Sequence, residues 1–212
     1  MIRFRKQRSE VAQIMRRLYQ NRLTTTSGGN VSIRYGEYII ITPSQTDKGT
    51  ITKKEVGIVS IEGKNLTPGL KPSMELGMHL AIYKNRPDIS AIVHAHPTFA
   101  TALAATEGMI ATDIAGEARA VLGIPAFAEY CTMGTQDLAE IVAKKAMNSN
   151  VIIMQHHGIV TLGSTLLQAF DRIEVLESTA KSIVIRKICD ITEKIPAEKL
   201  QIIDNLSPFT SK

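Results

Sequence analysis

Two histidines one residue apart, His94 and His96, close the apolar run Ala91-Ile92-Val93, and a second pair, His156-His157, follows another, Val151-Ile152-Ile153-Met154. Imidazoles at the ends of buried strands suit metal ligation. In an extended strand residues i and i+2 share a face, so His94 and His96 offer two nitrogens to one ion without bending the backbone. A third nitrogen from the second pair leaves one coordination position open, the arrangement of a catalytic zinc ion. A histidine on an apolar segment is more often a hydrogen-bonded core residue, and His-x-His alone is a weak signal. The recurrence in Gln155-His156-His157-Gly158 tips the balance toward metal.

Two other groups carry chemistry. Ser27-Gly28-Gly29-Asn30 joins successive glycines, which let the backbone approach a ligand and turn its N–H groups into one concavity, to two side-chain donors. That suits a phosphate, although a plain turn is the commoner meaning of these four residues. Glu75 follows Lys71-Pro72-Ser73 at the start of a predicted helix, where a carboxylate is usually a solvated partner of the helix dipole and becomes functional only if it faces the metal. His79, four residues on, shares its helix face; a structural role is expected for it, in the core or orienting Glu75.

These residues need elements to position them. Apolar residues at helical spacing predict a first helix over 7–21, and the alternation in 31–35 with the apolar 38–41 predicts a hairpin turned at Gly36-Glu37. A short strand is expected over 57–60, a helix from Met74 to about Asn85 capped by Ser73, a strand from Ala91 to His94, and a helix opened by Pro97 and running through Thr106. The stretch 111–133 is the least legible, with Val121, Ile124, Phe127 and Tyr130 suggesting short strands. A helix over 136–148, a hairpin of 151–154 with 159–162, and a long helix from Ser164 into Lys187 complete the pattern, while the tail from Ile191 is expected to be only partly ordered. Hairpins mixed with helices argue for a largely antiparallel sheet covered by helices.

A chain of 212 residues, 44% hydrophobic, can bury one sizeable core, and a single domain over 1–212 is the expectation. The formal charge of +5 admits an anionic ligand, but the basic residues are spread along the chain without interleaved aromatics, so no nucleic-acid partner is expected. Cys131 and Cys189 match no metal or redox spacing and read as free thiols; with no apolar run of membrane-spanning length, the expectation is a cytoplasmic protein with no membrane association.

Taken in order, the segments Ser27-Gly28-Gly29-Asn30-Val31-Ser32, Ile41-Thr42-Pro43-Ser44, Lys71-Pro72-Ser73-Met74-Glu75, His79 to Tyr83, Ile92-Val93-His94-Ala95-His96 and Gln155-His156-His157-Gly158 resemble the class II aldolase and epimerase (adducin-like) family, most closely its fuculose-phosphate branch. The resemblance extends to about residue 190. It implies a three-layer α/β/α fold on a mostly antiparallel sheet, one zinc ion per subunit, and a homotetramer with active sites at subunit boundaries. By the family's motif the metal ligands would be His94, His96 and His157, with His156 a neighbour. Glu75 would be the acid/base carboxylate, and Ser27, Gly28, Gly29, Asn30, Ser44 and Ser73 would hold the phosphate of a sugar substrate. The implied activity is reversible cleavage of a ketose 1-phosphate to dihydroxyacetone phosphate and a short aldehyde. Alternatives on the same site are methylthioribulose-1-phosphate dehydration and pentulose-phosphate 4-epimerisation, and a non-enzymatic scaffold lies further off.

Three features depart from the family's pattern. Met74 stands where a second hydroxyl residue is usual, so that one phosphate contact is lost or supplied elsewhere. The stretch 110–119 lacks the tyrosine that a neighbouring subunit contributes in the fuculose-type enzyme; its carboxylates are Asp113 and Glu117, and Glu117 is the candidate substitute proton donor. The tail beyond Asn205 holds Phe209 but no tyrosine.

Overall fold

The computed structural model describes residues 4–206, and Phe209 lies outside them. Helix α1 (Arg5–Gln20) buries the stripe Val11, Ala12, Ile14, Met15 and Leu18 and leaves its charged side in water, as its spacing requires. Next come the hairpin β1 (Asn30–Tyr35) and β2 (Tyr38–Ile41), then β3 (Gly57–Ser60), α2 (Leu76–Asn85), β4 (Ala91–Ala95) and α3 (Thr98–Leu103). The remainder is α4 (Gly116–Leu122), β5 (Ala126–Ala128), α5 (Gln136–Lys145), β6 (Val151–Met154), β7 (Gly158–Gly163), α6 (Leu166–Ile188) and α7 (Ala197–Leu206).

The strands form one seven-stranded sheet in the order β3-β2-β1-β4-β7-β6-β5. Every pairing is antiparallel except β5 with β6. Alternation along each strand divides the apolar residues between two faces. Val31, Ile40, Val93, Ile153 and Ile159 pack with α1, α3, α4 and α6, whereas Ile39, Ile41, Ile92, Ile152, Val160 and Leu162 pack with α2 and α5. The result is the expected three-layer α/β/α fold. The polar exceptions to this pattern are informative. Asn30 and Ser32 in β1 and His94 in β4 are buried, and pairing β1 with β4 sets Asn30 opposite His94.

Capping sets several helix ends. Thr135 accepts a hydrogen bond from the Leu138 N–H at the start of α5, and Thr165 from the Gln168 N–H at the start of α6. The carboxylate of Glu177 in α6, itself buried, accepts from the N–H groups of Phe99 and Ala100 and so caps α3 from a distance.

Four local expectations are corrected. Val121 lies in α4, and the stretch 111–133 contributes only the three-residue β5 around Phe127; apolar spacing in so short a segment does not separate helix from strand. Ser73 is not the cap of α2: Glu75 occupies that position, with Ser73 Oγ accepting the Glu75 N–H, because the Pro43–Pro72 bridge keeps the preceding chain extended. Pro97 precedes α3 as its cap, and α3 ends at Leu103. The tail carries α7, anchored where Arg119 Nε and Nη2 donate to the Asp204 carboxylate at 2.6 and 2.7 Å.

Candidate active site

The end of β4 and the β6–β7 turn bring the three expected imidazoles together. One ring nitrogen from each of His94, His96 and His157 lies within 4.8 Å of the others, and these residues form the one group of this kind found among the described residues. The turn explains why His157 joins and His156 does not. His156 takes a left-handed conformation (φ 52°), tolerable for histidine, which sends the two neighbouring side chains apart. His156 is exposed, its ring 6.5 Å from that of Tyr130, while His157 turns inward.

The tautomer of His94 follows from its surroundings. A carbonyl can only accept, so Nδ1 donates to Ile159 O at 2.9 Å and the neutral ring presents its Nε2 lone pair inward. That lone pair faces His96 Nε2 at 3.0 Å and Glu75 Oε2 at 3.1 Å. Glu75 Oε1 lies 3.1 Å from His157 Nε2, yet it has no well-aligned donor, and neither does the buried His157 Nδ1. Burial pushes His94 down and, with the neighbouring His94 and His157 rings, pushes His96 down to about 3, so both are neutral at physiological pH. Burial pushes the Glu75 carboxyl upward, but the facing His94 and His157 rings and the Asn30 amide outweigh it and hold the group well below the usual carboxylate range. The rings of His94, His96 and His157 and an ionised carboxylate therefore converge on one point. The donor set fits a divalent transition-metal cation, which would engage the orphaned Glu75 oxygen together with one inward nitrogen from each ring.

Behind Glu75 runs a buried chain of hydrogen bonds whose directions can be derived. Asn30 Nδ2 donates to Glu75 Oε2 at 2.8 Å, which leaves Asn30 Oδ1 as an acceptor for His79 Nε2–H at 2.5 Å. His79 Nδ1 must then accept from Ser32 Oγ at 2.7 Å, and Ser32 in turn accepts from the Tyr83 hydroxyl at 2.9 Å. Burial pushes His79 down to about 3 and Tyr83 upward, so both hold the protonation states this chain needs. Its effect is to fix one oxygen of Glu75 and leave the other free to act. The His79 ring thus acts on the Glu75 carboxylate through Asn30, while its backbone N–H donates to Glu75 O at 3.3 Å.

Close packing around the imidazoles constrains three glycines, and a Cβ on Gly28 would lie 2.8 Å from His96 Nδ1. A Cβ on Gly158 would lie 2.5 Å from His96 Cδ2 and 2.7 Å from Ala95 O, and one on Gly29, whose φ is +67°, would lie 2.6 Å from His94 O. The Ser27–Asn30 loop is therefore packed directly over the end of β4. Gly158→Ala is expected to displace the His96 ring and weaken metal binding by at least about tenfold, comparable to losing an outer partner of a ligand. A metal titration of the purified variant checks this.

The residues nominated for phosphate lie on segments that converge on Glu75. Asn30 contacts Glu75 directly; Ser27 is exposed and Gly28 and Gly29 are partly covered. Ser44 Oγ donates to Pro72 O and accepts the Met74 N–H, both at 3.0 Å, joining the second and third segments beside Ser73. Met74 is 64% exposed. Glu117 is exposed in the first turn of α4, and no hydrogen bond or ion pair joins it to the histidines among the described residues. Asp113 instead pairs with Lys194 at 2.9 Å. Sequence reasoning missed Ser32 and Tyr83 as supports of the site; the polar Ser32 amid alternating apolar residues was the available signal.

Residues 9–184 match the model of the class II aldolase and adducin N-terminal domain. The chain belongs to that family. It is 38% identical over 172 residues to an L-fuculose phosphate aldolase of Methanococcus vannielii, covering 81% of this chain and 92% of the relative. It is 32% identical over 189 residues to a 3-oxo-tetronate 4-phosphate decarboxylase of Haemophilus influenzae, covering 82% and 85%. Among solved structures it superposes on an L-fuculose 1-phosphate aldolase with a TM-score of 0.85 at 31% identity, over 94% of this chain and 95% of the other. It also superposes on YgbL of Escherichia coli with a TM-score of 0.88 at 27% identity, over 94% and 98%. Membership makes this class II aldolase-family chain an enzyme of lyase type. The decarboxylases were not among the sequence-derived alternatives.

Proposed function

We propose that this protein is a zinc-dependent aldolase that reversibly cleaves a fuculose-1-phosphate-like ketose 1-phosphate to dihydroxyacetone phosphate and a short aldehyde. The observation that carries this reading is the convergence of His94, His96 and His157 on a carboxylate, Glu75, whose second oxygen is unpartnered. A divalent cation bound there would supply Lewis acidity toward the ketone oxygen and adjacent hydroxyl of the substrate.

The chain's own residues do the rest. In the condensation direction Glu75 is ionised and accepts the proton from the carbon beside the carbonyl of dihydroxyacetone phosphate; in cleavage it returns that proton to the same carbon. Asn30 and His79 hold the carboxylate on the side from which that transfer occurs. Ser27, Gly28, Gly29, Asn30, Ser44 and Ser73 form the phosphate cradle, with Asn30 at its edge toward Glu75. Glu117 points outward, which suits donation of a proton to the aldehyde oxygen in a neighbouring subunit of a homotetramer. No helix among the described residues is long and apolar enough to cross a membrane, consistent with a cytoplasmic setting.

A second reading is decarboxylation of a 3-oxo acid phosphate, favoured by the decarboxylase relatives at 32% identity. Loss of carbon dioxide also leaves an enediolate for Glu75 to protonate, so the same residues serve. Incubating the metal-loaded protein with a panel of ketose 1-phosphates and 3-oxo-tetronate 4-phosphate separates the two. Because the decarboxylation also ends in dihydroxyacetone phosphate, the co-product decides: the aldolase reading expects chelator-sensitive release of an aldehyde with the triose phosphate from a ketose 1-phosphate, and release of carbon dioxide from 3-oxo-tetronate 4-phosphate with no cleavage of any ketose 1-phosphate would replace it with the second.

A further inference from the structure

Outside the histidine cluster the most anomalous side chain is Lys48. It is 1% exposed, and its ammonium donates to one acceptor, Pro43 O, at 2.5 Å. Among the described residues no carboxylate lies within ion-pair distance of it; the adjacent Asp47 accepts the Gly49 N–H instead. A buried cation lacking a counter-charge is costly, and proteins seldom keep one unless an anion arrives to complete it. Burial pushes its ammonium down to about 8, the mark of a charge left uncompensated.

The position of this lysine gives the missing anion a chemistry. Its backbone N–H donates to Thr26 O at 2.9 Å, beside Ser27, and its ammonium holds the Pro43–Ser44 peptide. Ser44 N–H donates to Lys71 O at 3.0 Å, and Ser44 Oγ reaches Pro72 O and the Met74 N–H. Lys48 therefore ties the segment that carries Ser27–Asn30 to the one that carries Ser44, and Ser44 in turn joins the segment that carries Ser73.

We propose that Lys48 is a positioning residue for a phosphoryl group, its buried ammonium setting the Pro43–Ser44 peptide and supplying the positive charge beneath the anion cradle. This rests on the phosphate assignment above but not on which bond the enzyme breaks. Serine hydroxyls and backbone N–H groups supply dipoles only; Lys48 adds the full charge that distinguishes a phosphorylated sugar from a neutral one.

Lys48→Met tests this, because methionine fills similar volume without the charge. The metal-loaded wild type and variant are titrated calorimetrically with inorganic phosphate and melted with and without it. Phosphate is expected to bind the variant about tenfold or more weakly, as for a lost charge-assisted contact. In phosphate-free buffer the variant should melt at or above the wild type, since a buried unpaired charge has been removed, and phosphate should raise the melting temperature of the wild type far more than that of the variant. With active protein, KM for the ketose 1-phosphate should rise while KM for the unphosphorylated ketose and both kcat values hold. A variant that binds phosphate as the wild type does, or that melts lower without phosphate, overturns the proposal and makes Lys48 a structural strut, as does a wild type that binds no phosphate. Lys48-dependent phosphate binding in a protein that cleaves no ketose phosphate would uphold it while removing the aldolase reading.

Discussion

Glu75→Gln should retain metal and lose roughly two to four powers of ten in turnover, the range for an acid/base group, or about 3–5 kcal/mol of barrier. The geometry makes this a clean test. Glutamine keeps an oxygen that can accept from Asn30 Nδ2, so the hydrogen-bonded chain back to Tyr83 remains anchored. What disappears is the ionised oxygen that has no well-aligned partner and faces His157. Single-turnover rates with metal content measured on the same sample separate loss of chemistry from loss of metal. Wild-type turnover in this variant would move the proton transfer to another group.

His157→Ala should reduce metal affinity by more than the roughly 10- to 100-fold typical of losing an outer partner, and abolish activity at ordinary metal concentrations. His157 is partly covered rather than fully buried, so its loss leaves the core intact. His156→Ala is the matched control: that ring lies outside the cluster beside Tyr130, and metal binding should be unchanged. Equal losses from both variants would mean that the turn, rather than the ligand, had been damaged.

Much of this site is legible in the sequence because its residues break a pattern. His94 ends an apolar strand in which period-2 alternation fixes which face it shares, and the β6–β7 hairpin follows from two apolar runs separated by a short polar turn. Gly28 and Gly29 read as phosphate chemistry alone, whereas the structure also packs Gly29 against the backbone of β4 and needs Gly158 to leave room for the His96 ring. The choice of His157 over His156 depends on a single left-handed residue, which composition does not specify. The stretch 111–133 was illegible because α4 and β5 are too short for a period to show, and their placement depends on partners distant in sequence, Asp204 for Arg119 and the β6 strand for β5. The same applies to α7, which buries no side chain fully and is held by that ion pair. Nothing local in the sequence signals that the Lys48 ammonium is enclosed.

The central claim is that His94, His96 and His157 together hold one zinc ion. X-ray absorption on the natively purified protein, with elemental analysis of the same sample, should find about one zinc per chain with imidazole nitrogens at roughly 2.0–2.1 Å. Removing His94, His96 or His157 should subtract a nitrogen each time. A native protein carrying no stoichiometric transition metal, or one whose metal keeps its nitrogen shell when these histidines are removed, would contradict it.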